Sequence, residues 1–260
     1  GSRLLSGNSK QAELCEYNLA THFKSESALV YNSGYVANLG LLSAILQRED
    51  EVFYDEYIHA SSRDGIRLSF SKSTAFKHND VEDCEKQLQR ATKLAAETGG
   101  AILVITEGVF GMRGDQGIVK EIVDLKQKYN FRLFVDDAHG IGTLGATGGG
   151  TGEEQGVQDD IDIYFGTFAK SFAMIGGFVA SDAQVVEYLR YNMRSQIFAK
   201  AMPLPLVVGA IKRLELIRTM PELKDRLWEI TNALQSGLKA AGFEIGPTNS
   251  CVTPVYMNGS

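Results

Sequence analysis

Hydrophobic positions along the chain alternate between two rhythms. Short, nearly continuous apolar runs at residues 28–31, 51–54, 101–106 and 131–135 read as strands, the third being of the kind buried on both faces. Between them, apolar residues recur at helical spacing: Leu14, Tyr17, Leu19 and Phe23 within residues 10–23, and Val36, Leu39, Leu42 and Leu46 within 35–46. Val81, Cys84, Leu88 and Ala91 mark the inner face of a helix over 80–96, closed by Gly99 and Gly100, and residues 117–129 read as another. A β-rich run at 161–165 enters a turn, and a second apolar run follows at 177–180. Helices are expected over 183–194, 206–220 and 222–241, with a strand region opening at 243–255.

Strands alternating with helices predict an α/β fold, a mostly parallel sheet sandwiched by helices. Pro221 is the natural joint, giving a large domain over 1–220 and the beginning of a small α/β domain over 221–260. Residues 1–8 read as a loop. The glycine-dense stretch 140–156 reads as a mobile loop, because no helix opens after it as a dinucleotide-binding turn requires.

Composition narrows the function classes. The 260 residues are 44% hydrophobic and 22% charged, with net charge −6. That balance gives no overall pull toward nucleic acid or an acidic membrane surface. Cys15, Cys84 and Cys251 are few and scattered, which fits reduced thiols and a cytoplasmic setting. No signal peptide or membrane-spanning run is present, and the four histidines lack the spacing of a metal site, so no metal is expected.

The polar residues that matter sit where strands end. Ser33 and Gly34 lie between a strand and a helix start, which makes either an anion site or an ordinary capped helix. His59 follows the strand at 51–54, a place for a ligand contact or a structural histidine. Asp136 and His139 close the strand at 131–135. Asp137, next along an extended segment, is expected to point to the opposite face and to matter less. Thr167 and Lys170 follow the run at 161–165, and Lys170 is flanked by Phe168, Ala169, Phe172, Ala173 and Met174. An apolar setting lowers a lysine's pKa, as a Schiff-base lysine needs; the alternative is a lysine reaching solvent. Pyridoxal phosphate (PLP) asks for all of these groups together: a lysine, a carboxylate at the pyridinium nitrogen, and N–H and hydroxyl donors for its phosphate.

The segments Val135-Asp136-Asp137-Ala138-His139-Gly140, Gly166-Thr167-Phe168-Ala169-Lys170-Ser171, Asn32-Ser33-Gly34-Tyr35-x-Ala37-Asn38 and Asp55-x-x-x-His59-Ala60-Ser61 together resemble the α-oxoamine synthases. These are fold-type-I PLP enzymes that join an amino acid to an acyl-CoA with loss of carbon dioxide. The resemblance runs over nearly the whole chain. It implies that Lys170 carries the cofactor, Asp136 pairs with the ring nitrogen, His139 contacts the 3-oxygen and His59 stacks on the ring. It further implies that Ser33, Gly34, Tyr35 and Thr167 hold the phosphate, with Lys200 reaching the neighbouring site of a homodimer. Residues 64–72 and 177–180, with the pattern through Ser195 and Phe198, are most similar to the bacterial serine palmitoyltransferase branch. That branch condenses L-serine with palmitoyl-CoA to 3-ketosphinganine, CoA and carbon dioxide, and its lipid product suggests peripheral membrane contact. The alternatives are a relative using glycine or alanine with another acyl-CoA, such as 2-amino-3-ketobutyrate CoA ligase or 8-amino-7-oxononanoate synthase, or a non-catalytic partner subunit. Two departures stand out: Ala199 and Ala201 where relatives carry hydroxyls, and Gly111 where many carry serine. The arginine that holds the substrate carboxylate in relatives falls outside this sequence.

Overall fold

The computed structural model describes residues 1–257 and is organised on one seven-stranded sheet. Its strands are β1 (Ser27–Tyr31), β2 (Glu51–Asp55), β3 (Lys72–Phe76), β4 (Ile102–Glu107), β5 (Arg132–Asp136), β6 (Ile163–Thr167) and β7 (Gly177–Ser181). They lie in the order β1-β7-β6-β5-β4-β2-β3, and only β7 runs against its neighbours. The principal helices are α1 (Lys10–His22), α2 (Gly34–Ile45), α3 (Ala60–Ser69), α4 (Val81–Thr98) and α5 (Val119–Asp124). After the short α6 (Thr151–Glu154) come α7 (Ala183–Asn192), α8 (Arg194–Phe198), α9 (Leu204–Thr219) and α10 (Pro221–Ala240).

Successive side chains of a strand point to opposite faces, so each central strand feeds two cores. Ile102 and Val104 join Leu19, Leu88 and Leu214 on one face, while Leu103 and Ile105 join Leu41, Leu42 and Leu189 on the other. The same alternation continues past β5. Asp136 turns toward α2, and Asp137 turns to the opposite face, where it meets Thr151 and Tyr164.

Several expectations are corrected. The buried stripe of α1 is Ala12, Cys15, Leu19 and Phe23, leaving Leu14 and Tyr17 49% and 69% exposed. Cys15 sits in the helical stripe that Leu14 only neighbours. Strand β3 escaped the reading because it is an edge strand with an exposed, polar face that ends on buried Phe76. Residues 3–7 form a helical turn, and buried Arg3 pairs with Glu16. No strand forms between residues 241 and 257, where backbone groups bond singly to loops instead, as Asn249 N–H does to Gly114 C=O at 3.2 Å.

The glycine-dense stretch is tied down rather than slack. The Glu153 carboxylate accepts from Gly149 N–H at 2.8 Å and Thr147 N–H at 3.1 Å, and Glu154 accepts from Gly145 N–H at 2.9 Å. Fully buried Asp137 accepts from Thr151 N–H at 2.6 Å, from the Thr151 hydroxyl at 2.9 Å and from the Tyr164 hydroxyl. Asp137 points to the opposite face as expected, and there it anchors this loop.

Candidate active site

Parallel strands carry their C-terminal ends to one edge of the sheet, and ligands of α/β folds collect there. At that edge lies a cavity of about 380 Å³. The structure brings Ser33, Gly34, Tyr35 and His59 to its wall, with Asp136, His139, Thr167 and Lys170. Lys200 is exposed and lies outside that wall; its backbone has φ +70°, and its carbonyl accepts from Asn32 Nδ2 at 3.3 Å.

One end of the cavity is suited to an anion. Ser33 caps α2 by accepting the Val36 N–H at 3.4 Å, which leaves the N–H groups of Gly34 and Tyr35 outside the helical ladder. Thr167 stands beside them, and a Cβ on Gly34 would come within 2.9 Å of the Thr167 hydroxyl oxygen. Only glycine lets the two approach. Thr167 is oriented by donating to Gly176 C=O at 3.1 Å and accepting the Ala169 N–H at 3.2 Å. Tyr35 is exposed, and its hydroxyl donates to Asp64 Oδ2 at 2.5 Å.

The floor is acidic. Asp136 Oδ2 accepts from Asn38 Nδ2 at 2.7 Å and Oδ1 from Ala138 N–H at 3.2 Å. Burial pushes its carboxyl up to about 6, against the pull of Asn38, Ala138 and the Lys170 charge. Glu107, opposite Asp136 across β4 and β5, is also buried, and burial with the neighbouring Asp136 charge raises its carboxyl well above the usual range. A buried carboxylate favours a cationic ligand atom, such as a protonated ring nitrogen.

The two histidines are held neutral. Burial first, then the Lys170 charge and the nearness of His59, with which it would have to share a second positive charge, takes His139 down to about 4. Burial and Lys170 likewise lower His59. His139 rests directly on Gly111, where a Cβ would lie 2.4 Å from its Nε2. The departure at Gly111 thus makes room for this ring. Lys170 itself corrects the sequence argument: Phe168 and Phe172 turn into the core, while Lys170 is exposed in the cavity. It shares the cavity wall with His59, His139 and Asp136, and the flanking aromatics build the turn beneath it.

Sequence reading left Glu107 unassigned, and gave Asn38 and Ser61 no role although both stood in quoted motifs. Asn38 stands in the motif after Gly34 and outside the apolar stripe of α2, and only the fold shows its amide facing Asp136. Glu107 ends the apolar run of β4, a signal that could have placed it beside Asp136.

The model of the family described as aminotransferase class I and II matches residues 1–258. The chain is 56% identical over 260 residues to the cysteate-C-fatty acyltransferase of Capnocytophaga ochracea and 40% identical over 257 residues to the serine palmitoyltransferase of Bacteroides ovatus. It covers all of itself and 62% of the first, and 99% of itself and 64% of the second. A solved serine palmitoyltransferase from S. paucimobilis with bound PLP–myriocin superposes with a TM-score of 0.93 at 35% identity, covering 100% of this chain and 67% of that one. The chain thus belongs to the class I and II aminotransferase family, within its α-oxoamine synthase branch.

Proposed function

We propose that this chain is the PLP-binding part of an acyltransferase that condenses a small L-amino acid with a long-chain acyl-CoA, releasing CoA and carbon dioxide. The observation that carries this reading is the convergence of Lys170, Asp136 and the α2 N-terminus on one cavity. Each part matches one part of the cofactor. Gly34 and Tyr35 N–H groups with the Ser33 and Thr167 hydroxyls would hold the phosphate, and buried Asp136 would keep the ring nitrogen protonated. Lys170 would hold the cofactor covalently, His139 would donate to its 3-oxygen, and His59 would cover the ring. When bound, PLP supplies a sink for the electron pair left at the substrate's Cα.

The residues of the chain then do the rest. Lys170, freed as an amine, takes the Cα proton. His59 and His139, kept neutral, add no positive charge to compete with it. The new bond forms between Cα and the acyl carbonyl carbon as the thioester breaks and CoA leaves as a thiolate that takes a proton from solvent. The carboxylate then leaves as carbon dioxide, and the proton held on Lys170 returns to Cα. Residues 221–260 begin the smaller domain in this reading. The active form is a homodimer, with Lys200 of each chain directed at the neighbouring phosphate site. Its lipid product would be delivered by peripheral contact with a membrane; no helix among the described residues is long and apolar enough to cross one.

L-serine with palmitoyl-CoA is the first reading of the substrates. A second, L-cysteate, is favoured by the 56% identity to the relative named a cysteate-C-fatty acyltransferase. A site that bonds the β-substituent discriminates far better than one that only limits its size. CoA release by the full-length protein, measured with serine, cysteate, glycine and alanine against palmitoyl- and acetyl-CoA, tests both readings. Turnover with palmitoyl-CoA and serine or cysteate supports the proposal, and cysteate at least about tenfold above serine selects the second reading, a ratio worth about 1.4 kcal/mol. Glycine with acetyl-CoA dominating would overturn both.

A further inference from the structure

Asn38 and Ser61 are buried polar residues on α2 and α3 to which the chemistry above gives no task. Their contacts form a continuous line. Asn38 Nδ2 donates to Asp136 Oδ2 at 2.7 Å and also to Ser61 Oγ at 3.1 Å, and Ser61 Oγ lies 2.7 Å from His59 Nδ1. We propose that Asn38 and Ser61 are positioning residues that couple Asp136 to His59 and fix His59 as the tautomer with Nδ1 bare and its proton on Nε2.

The direction of every hydrogen bond in this line follows from its first member. An ionised carboxylate can only accept, so the Asn38 amide must present Nδ2 to Asp136. The same nitrogen gives its second proton to Ser61 Oγ. With that oxygen already accepting, the Ser61 hydroxyl proton is free to be donated, and His59 Nδ1 is the acceptor within reach. A second donor agrees independently: the Ser61 backbone N–H also points at Nδ1, at 3.2 Å. A proton on Nδ1 would face both this N–H and the hydroxyl oxygen, and would leave the buried hydroxyl without an acceptor, a cost of about 1–3 kcal/mol.

The consequence is a division of labour. Nε2, the remaining polar atom of the ring, carries the proton and is a hydrogen-bond donor. His59 can therefore donate to an oxygen of the incoming carboxylate or acyl carbonyl, and it is not the base that removes the Cα proton. This use of the ring rests on the function proposed above; the tautomer itself does not.

The test is long-range proton–nitrogen NMR of the full-length protein labelled with ¹⁵N-histidine, recorded with and without PLP across pH 5–9. This chain contributes four histidines to that spectrum, and His59→Gln identifies the signals of this one. The expected spectrum shows Nδ1 unprotonated and Nε2 protonated at neutral pH. A His59 protonated on Nδ1, or on both nitrogens, would overturn the proposal. Ser61→Ala removes one of the two donors, and should raise the Nδ1-protonated population roughly fivefold to tenfold. An unchanged ratio in that variant would remove Ser61 from the chain. An inactive protein with the tautomer intact would sink the proposed function and leave this coupling standing.

Discussion

Asp136 and Asp137 are adjacent in sequence and serve opposite faces of the sheet. Each is buried, and burial raises each carboxyl from an ordinary value of 3.8 to about 6. A group whose pKa is raised by folding contributes stability that is complete below its unfolded pKa and is lost as pH rises through the folded value. Protein lacking PLP should thus lose stability between about pH 4 and pH 6, as urea titrations at several pH values would show. A cationic ring nitrogen against Asp136 should reverse its share on PLP binding. Asp136→Asn keeps the shape and removes the charge, so the variant should fold and bind PLP yet lose at least about a hundredfold in turnover, some 2.7 kcal/mol. Near-normal turnover would exclude the assigned role. Asp137→Ala leaves Thr151 and Tyr164 donors buried without their acceptor, and should cost about 3–5 kcal/mol in urea unfolding.

Most elements were legible because their apolar rhythm is strong. Strand β4 is a continuous buried run, and α4 keeps Cys84, Leu88 and Ala91 on one stripe. What was missed had no such rhythm. Strand β3 is polar and exposed at the sheet edge, so its pairing with β2 is a tertiary fact. The glycine-dense loop looks slack because its order comes from Asp137, Glu153 and Glu154, acceptors that its glycines do not advertise. The candidate site was legible as residue types at strand ends, and the roles of Glu107, Asn38 and Ser61 were not, since only the crossing of β4, α2 and α3 brings them to Asp136 and His59. Gly111 is a matter of the same scale, one loop packed on another. A Cβ there would strike the far edge of the His139 ring, which can turn aside at little cost to the fold. Gly111→Ala should accordingly keep unfolding free energy within about 1–2 kcal/mol of the parent while weakening PLP binding several-fold, measured by fluorescence titration.

Across the molecule, the loop after β4 joins the cavity to the C-terminal segment. Gly111 touches His139 at one end, while Gly114 C=O accepts from Thr248 and Ser250 hydroxyls at 2.9 and 2.7 Å at the other. His78 pins this loop from beneath, with Nδ1 3.0 Å from Asp55 and Nε2 2.8 Å from Asp115. Burial opposes the charge on His78, but the hydrogen bonds to the two carboxylates outweigh it and raise its pKa. The clamp contributes fully below about pH 6.5, the unfolded value, and is lost as pH rises through the higher folded one. His78→Ala should cost about 2–4 kcal/mol at pH 6 and less at pH 9, and equal losses at both values would refute the clamp. A homodimer is the expected assembly, and sedimentation of a fully active monomer would remove Lys200 from the neighbouring site.

The central claim is that Lys170 carries the cofactor in the cavity shared with Asp136. Borohydride reduction of the PLP-loaded full-length protein, followed by peptide mapping, tests it most directly. The account predicts a single phosphopyridoxyl label on the peptide containing Lys170, abolished in Lys170→Ala. Label on Lys72 or Lys200, or none on Lys170 in protein shown to bind PLP, would contradict it.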